Sequence, residues 1–155
     1  KAVAAKDLAV ARRVSHLNPD VGFIEESAML HDIGILLTDA PSIGCKGKHR
    51  YVCHGVLGRK LMEDKGLPRH ALVCERHVGV GLTIDEIKSR NLPLPLRDMA
   101  PISIEEQIIC YADKFFSKKN NGNGKEMPLE DVLKDLEKYG LDKVRRFMDW
   151  VKMFK

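Results

Sequence analysis

The sequence predicts an all-α domain. Apolar residues recur at three- and four-residue spacings through most of the chain. Capping residues, glycines and prolines punctuate those runs where helices should start and stop. No period-two alternation of any length argues for a strand, and no internal repeat is present.

Residues 1–16 read as a first helix, with Val3, Ala4, Leu8, Ala11 and Val14 on one face and Lys6, Asp7, Arg12 and Arg13 on the other. Asn18-Pro19 breaks it, and a second helix from about Val21 to Leu37 carries Phe23, Ile24, Ala28 and Leu30. Thr38 to Arg50, rich in Gly, Pro and Lys, is a loop long enough to be functional. A third helix, Tyr51 to Lys65, ends at Gly66, and Pro68 opens a fourth that runs to His77. Thr83 to Arg90 is a short helix with a Thr83/Glu86 capping box, and the prolines of Asn91 to Pro101 exclude regular helix. Ser103 caps the next helix, whose apolar face is Ile104, Ile108, Ala112 and Phe115. Ser117 to Glu126 reads as a mobile surface loop. Two amphipathic helices finish the chain, one with Leu129, Val132, Leu133 and Leu136, the other with Val144, Phe147, Met148, Val151 and Phe154.

The 155 residues fit one domain, with a core over about 1–118 and two packing helices over about 127–154. No apolar run is long enough to span a membrane, and no signal-peptide pattern is present, so a cytoplasmic protein is expected. The formal net charge of +4, with both signs interspersed, is too mild to make nucleic acid the main partner. Cys45, Cys53, Cys74 and Cys110 show no metal-ribbon spacing, and Cys74 and Cys110 sit in apolar helical patterns as small core residues.

The chemistry concentrates at Ala28 to Ile35, where His31 stands beside Asp32 in an apolar run. Burying an imidazole and a carboxylate is costly unless something pairs them, either each other or a metal ion. Gly34 lets the backbone turn close to that pair. His54 opens the third helix, His77 closes the fourth, and Asp113 lies beside the buried stripe of its own helix. Each alone reads as a cap, a surface group or a satisfied core residue.

Taken as an ordered set, Leu30-His31-Asp32-Ile33-Gly34, His54 to Gly58, Gly66 to Pro68, Glu75 to Gly79 and Ala112-Asp113-Lys114 resemble the HD-domain superfamily of metal-dependent phosphohydrolases. The resemblance runs from about Val3 to Phe116 and implies a single HD-domain helical bundle. It implies that His31, Asp32 and Asp113 bind one metal and that His54 and His77 bind a second, with Asp32 bridging and catalytic. The implied cofactor is a divalent transition metal, two ions in number (Fe, Mn, Zn, Ni or Co, with Mg admissible). The family's first-helix histidine has no counterpart in the sequence given, which places that ligand upstream of Lys1, and Ile35 stands where many relatives have Lys.

Two such ions would carry a hydroxide nucleophile against a phosphoryl group. Arg76 and Lys114 are the expected catalytic cations, and Lys48, Arg50 and Arg76 the expected phosphate contacts, with Lys46 and His49 close by in sequence. Glu75 is a candidate to orient a ligating histidine. The expected reaction is hydrolysis of a phosphate ester or anhydride of a nucleotide or similar small metabolite. The expected partner is that small molecule, with no membrane, and a homodimer is allowed for. A di-iron oxygenase on the same fold and a non-catalytic nucleotide-binding module are the alternatives.

Overall fold

The computed structural model describes residues 2–116 and 125–155. Eight α-helices account for most of them: α1 (Ala2–Arg13), α2 (Val21–Leu30), α3 (His54–Asp64), α4 (Pro68–Arg76), α5 (Ile84–Ser89), α6 (Ile104–Asp113), α7 (Leu129–Glu137) and α8 (Leu141–Met153). Two short strands, β1 (Asp39–Ala40) and β2 (Cys45–Lys46), pair antiparallel inside the segment read as loop. The mainly helical class therefore stands. The narrower assignment to an HD-domain bundle falls with the comparisons reported below.

Several boundaries differ from the periodic pattern, and the differences sit around the histidines. The second helix stops at Leu30; His31 and Asp32 form a turn, and Ile33–Leu37 continues as a 3₁₀ helix. Tyr51–Cys53 is a 3₁₀ turn that leads into α3 at His54. The tighter 3₁₀ winding re-aims side chains that an unbroken α-helix would spread around its axis. The Thr83/Glu86 capping box forms as expected, and Ser103 accepts from the Glu106 backbone N–H. Most of the expected 117–126 loop lies outside the described residues.

α1 packs on α2 and α6, α3 lies along α4 and the 33–37 turn, and α7 and α8 close the other end. The main core joins Val10 and Ala11 of α1, Phe23 and Ile24 of α2, and Ile108, Ile109 and Tyr111 of α6. Val132, Leu136, Phe147 and Trp150 of the last two helices complete it with Phe154. Cys74 and Cys110 are buried, as their settings predict.

One polar residue of α1 was misplaced by the pattern. Asp7, read as part of the solvated face, is fully buried, and neither carboxylate oxygen has a hydrogen-bond partner.

Gly34 fixes how closely α3 approaches. A Cβ there would overlap the His54 carbonyl oxygen and the Gly58 amide nitrogen. A Cβ at Gly55 would meet the Val78 side chain at 2.7 Å and the Cys74 carbonyl oxygen at 2.8 Å. The glycines of the His54 to Gly58 motif are thus packing devices. They let α3, α4 and the 33–37 turn converge closely enough for their end residues to touch.

Candidate functional site

The same local device aims three histidines. His31 Nδ1 donates to the Ala28 carbonyl at 2.8 Å, His54 Nδ1 to Tyr51 at 2.7 Å, and His77 Nδ1 to Cys74 at 2.8 Å. In each case the acceptor is three residues upstream: for His31 and His77 in the last turn of the preceding helix, and for His54 in the 3₁₀ turn before α3. With Nδ1 occupied, each ring turns Nε2 toward the others.

Those nitrogens converge on two carboxylates. His31 Nε2 lies 3.2 Å from Asp32 Oδ2 and 3.4 Å from Asp113 Oδ1. His77 Nε2 lies 3.2 Å from Asp32 Oδ1, and His54 Nε2 lies 3.2 Å from His77 Nε2 and 3.7 Å from Asp32 Oδ1. All five residues placed together from the sequence are therefore in one cluster. Within it, the His31, His77, Asp113 group and the Asp32, His54, His77 group each have ligand atoms within 4.8 Å, a spacing that can hold a metal ion. The same spacing is met by imidazoles and carboxylates sharing protons.

Burial and pairing pull the charges apart. Burial opposes a charge on His31, but the carboxylates of Asp113 and Asp32 outweigh it and push its pKa up to about 10. Asp32 is also disfavoured by burial, yet His31 and His77 hold its carboxyl well below the usual range. For His77 burial dominates, against the pull of the Asp32 carboxylate, and lowers the pKa, which favours the neutral ring. The cluster accordingly works as a charged His31–Asp pair beside a neutral imidazole.

A cavity of about 660 Å³ opens over this cluster. Its lining includes His54, His77, Asp113 and Lys114, with Tyr51 and Arg90 from neighbouring segments and Tyr139 and Lys143 from the C-terminal helices. Lys114 pairs with Asp113 at 2.9 Å, and buried Lys143 donates to Glu86 at 2.5 Å and to the Gly81 carbonyl at 2.6 Å.

The other expected cations go elsewhere. Arg76 binds both carboxylate oxygens of Glu106 at 3.0 Å and does not line the cavity. Lys48 and Arg50, like Lys46 and His49, are exposed around the β-hairpin and do not line it either. Glu75 turns away from the histidines, to Arg59 at 2.6 Å and to Arg97, whose Nε donates at 3.0 Å. Sequence reasoning missed Asp7, Tyr51, Tyr139, Arg90 and Lys143. For Asp7 a signal existed: with Val3, Ala4, Leu8 and Ala11 it completes the three-and-four spacing of one buried face.

No family model matches the chain, and no solved structure matches it. It is similar to tRNA (cytidine(56)-2'-O)-methyltransferases of Thermoplasma volcanium (29% identity, 90% of this chain, 36% of the relative) and Picrophilus torridus (31% identity, 76% of this chain, 31% of the relative). The chain thus spans about a third of the length of these two enzymes. It is also 31% identical to Uncharacterized protein MJ0778 of Methanocaldococcus jannaschii, over 86% of this chain and 69% of the relative.

These findings overturn the reading drawn from the HD-domain resemblance. Neither a family model nor the name of a relative supports an HD domain, a hydrolase or a phosphohydrolase, and the two relatives named for an activity are methyltransferases. The oxygenase and nucleotide-binding-module alternatives, which rested on the same resemblance, fall with it. So does the expected pair of transition-metal ions, for which the structure offers only generic His/Asp groupings. The exclusion of nucleic acid as main partner is withdrawn too, because both named enzymes act on tRNA. The physical reason is visible in the site. Helix-end histidines turned inward by backbone carbonyls reproduce a metal-ligand spacing without specifying a reaction, and the cations expected to hold a phosphate are dispersed. The chain belongs to the family of Uncharacterized protein MJ0778.

Proposed function

We propose that this chain works in 2'-O-methylation of tRNA, as a helical unit that engages the tRNA. The observation that carries this is the similarity to two tRNA (cytidine(56)-2'-O)-methyltransferases over 90% and 76% of the chain. A stretch of that size takes in most of the chain that builds the core and the cavity.

The cavity suits a nucleotide of RNA. His54 and His77 are part of its lining, polar groups of the kind that meet a ribose 2'-hydroxyl. Arg90 and Lys114 are among the cations that line it, the kind of side chain that meets an RNA backbone. Tyrosine rings stand at the mouth. No described helix is long and apolar enough to cross a membrane. A cytoplasmic location is part of this reading, because it rests on relatives that act on tRNA.

Methyl transfer of this kind draws its methyl group from a sulfonium donor such as S-adenosylmethionine. The cavity's role is to receive and orient RNA.

The test is to incubate the chain with tRNA and S-adenosylmethionine labelled in the methyl group, and to measure tRNA binding by anisotropy in parallel. Binding that weakens as salt rises is the expected result. Absence of both binding and methyl transfer would overturn the reading.

A further inference from the structure

We infer that the β1–β2 hairpin holds the RNA backbone, with Lys46, Lys48 and Arg50 meeting phosphates at the rim of the cavity. The inference rests on the tRNA reading and adds where the strand outside the cavity is held.

The segment from Thr38 to Arg50 concentrates charge of one sign. It carries Lys46, Lys48 and Arg50, with His49 among them, against a single acid, Asp39, which stands opposite Lys46 in the ladder. All four basic residues are exposed, and no ion pair or side-chain hydrogen bond ties any of them to another described residue. Exposed cations elsewhere are paired: Lys60 with Asp64, Arg69 with Asp20, Lys138 with Asp135 and Lys152 with Asp149. Three like charges within five residues repel one another, and a run of phosphates is the partner that relieves this.

The backbone beneath these side chains is fixed. The Gly47 N–H donates to the Thr38 carbonyl at 2.8 Å, the Asp39 N–H to the His49 carbonyl at 2.8 Å, and the His49 N–H to the Leu37 carbonyl at 3.3 Å. Thr38 is buried, and its Oγ1 donates to the Ile35 carbonyl at 2.8 Å. A Cβ at Gly47 would lie 2.1 Å from the Leu37 carbonyl carbon and 2.5 Å from the Thr38 amide nitrogen, so the two segments pass in direct contact. With the backbone already set, binding has only the long side chains left to order.

The hairpin also has the right place. Asp39 to Ile43 before the cations and Tyr51 and Val52 after them line the cavity, while the cations themselves stand outside it. A strand with one nucleotide in the cavity therefore has neighbouring phosphates beside the hairpin. The cavity meets the nucleotide, and the hairpin sets the strand's position without reading its bases. This gives Lys48 and Arg50 a role outside the cavity, beyond the reach of a small phosphorylated molecule bound within it.

The experiment measures tRNA affinity by anisotropy between about 50 and 200 mM salt. The whole chain is compared with a Lys46→Ala, Lys48→Ala, Arg50→Ala triple variant and with Lys48→Gln alone. A Lys60→Ala, Lys65→Ala, Lys152→Ala triple removes the same charge from exposed positions outside the hairpin. The hairpin triple should weaken binding by roughly tenfold or more and make the dependence of log affinity on log salt shallower by about two. Lys48→Gln should make it shallower by about 0.7, and the control triple should leave it unchanged. Unchanged helical circular dichroism shows that the variants fold, and Lys48→Gln gives its readout from one exposed change. Equal losses in the two triples, or an unchanged salt dependence in the hairpin variants, would overturn the hairpin site while tRNA binding keeps the wider reading intact. Displacement of tRNA by adenosine monophosphate at equal phosphate concentration would also overturn it, because the cations would then serve free phosphates. Failure of the unaltered chain to bind tRNA would remove the tRNA reading itself.

Discussion

The two ends of this molecule are built to opposite rules. At the C-terminal end, Tyr111 and Phe115 pack with Phe147, Phe154 and Trp150, ring against ring at 5.1 to 6.4 Å between centroids. At the other end, three histidines and two aspartates sit in contact, with Asp7 buried behind them and without a hydrogen bond. The first region gains stability from nearly every side chain it buries. The second gives some of that stability up to hold charged groups close together, an arrangement that persists where function needs it. The aromatic end supports the polar end.

Removing a central ring should do the most damage. Phe147→Ala should cost about 3–5 kcal/mol of stability, read from denaturant unfolding, because Phe147 is fully buried among Tyr111, Phe115 and Trp150. A loss close to that of a surface substitution would show that the aromatic cluster is not the stabilising half.

Asp7 should give a change of opposite sign. Burial, countered by His31 and reinforced by Asp113, raises its pKa from 3.8 to about 8. The folded chain keeps a proton that the unfolded chain releases, so this group's contribution is most favourable below pH 3.8 and is lost as pH rises through about 8. Asp7→Asn removes the ionisation, and should raise stability by roughly 2–4 kcal/mol at pH 8 and much less at pH 4. Melting temperatures across that range measure it; a benefit that is the same at both ends would count against a buried, proton-holding Asp7.

Gly34→Ala should be smaller but more local. The added methyl must push α3 away from the 33–37 turn, at a cost of about 1–3 kcal/mol. Histidine side-chain NMR signals should shift for His54 and His77 while those of the aromatic core stay in place. Lys60→Ala, which removes an exposed pair with Asp64, should change stability by less than about 0.5 kcal/mol.

Much of this was legible in the chain. Periodicity and capping marked out the helices, and His31, Asp32, His54, His77 and Asp113 were grouped as an ordered set through a family resemblance, not through their individual settings. Other features were not legible, for definite reasons. The α-helix was expected to run through His31 because 3₁₀ and α periodicities look alike over five residues. Asp7 was assigned to solvent because an acid next to Lys6 reads as polar face, although its spacing matched the buried stripe. Arg76 and Glu75 were drawn into the site by their nearness to His77 in sequence, yet on a helix adjacent residues point apart, to Glu106 and to Arg59 and Arg97. Tyr139 and Arg90 reach the cavity from distant segments, which no local pattern could announce. The chemistry itself was read wrongly, because a set of inward-turned histidines and aspartates is a geometry shared by many reactions.

Engagement of tRNA by the cavity face is what the polar end should be judged on. The decisive quantity is tRNA affinity, at one fixed salt concentration, for the whole chain, for Arg90→Glu at the cavity wall and for Lys60→Glu on exposed α3. Binding through the cavity requires a loss of about tenfold or more for Arg90→Glu and less than about twofold for Lys60→Glu. Equal losses, or none in either variant, would rule that binding face out.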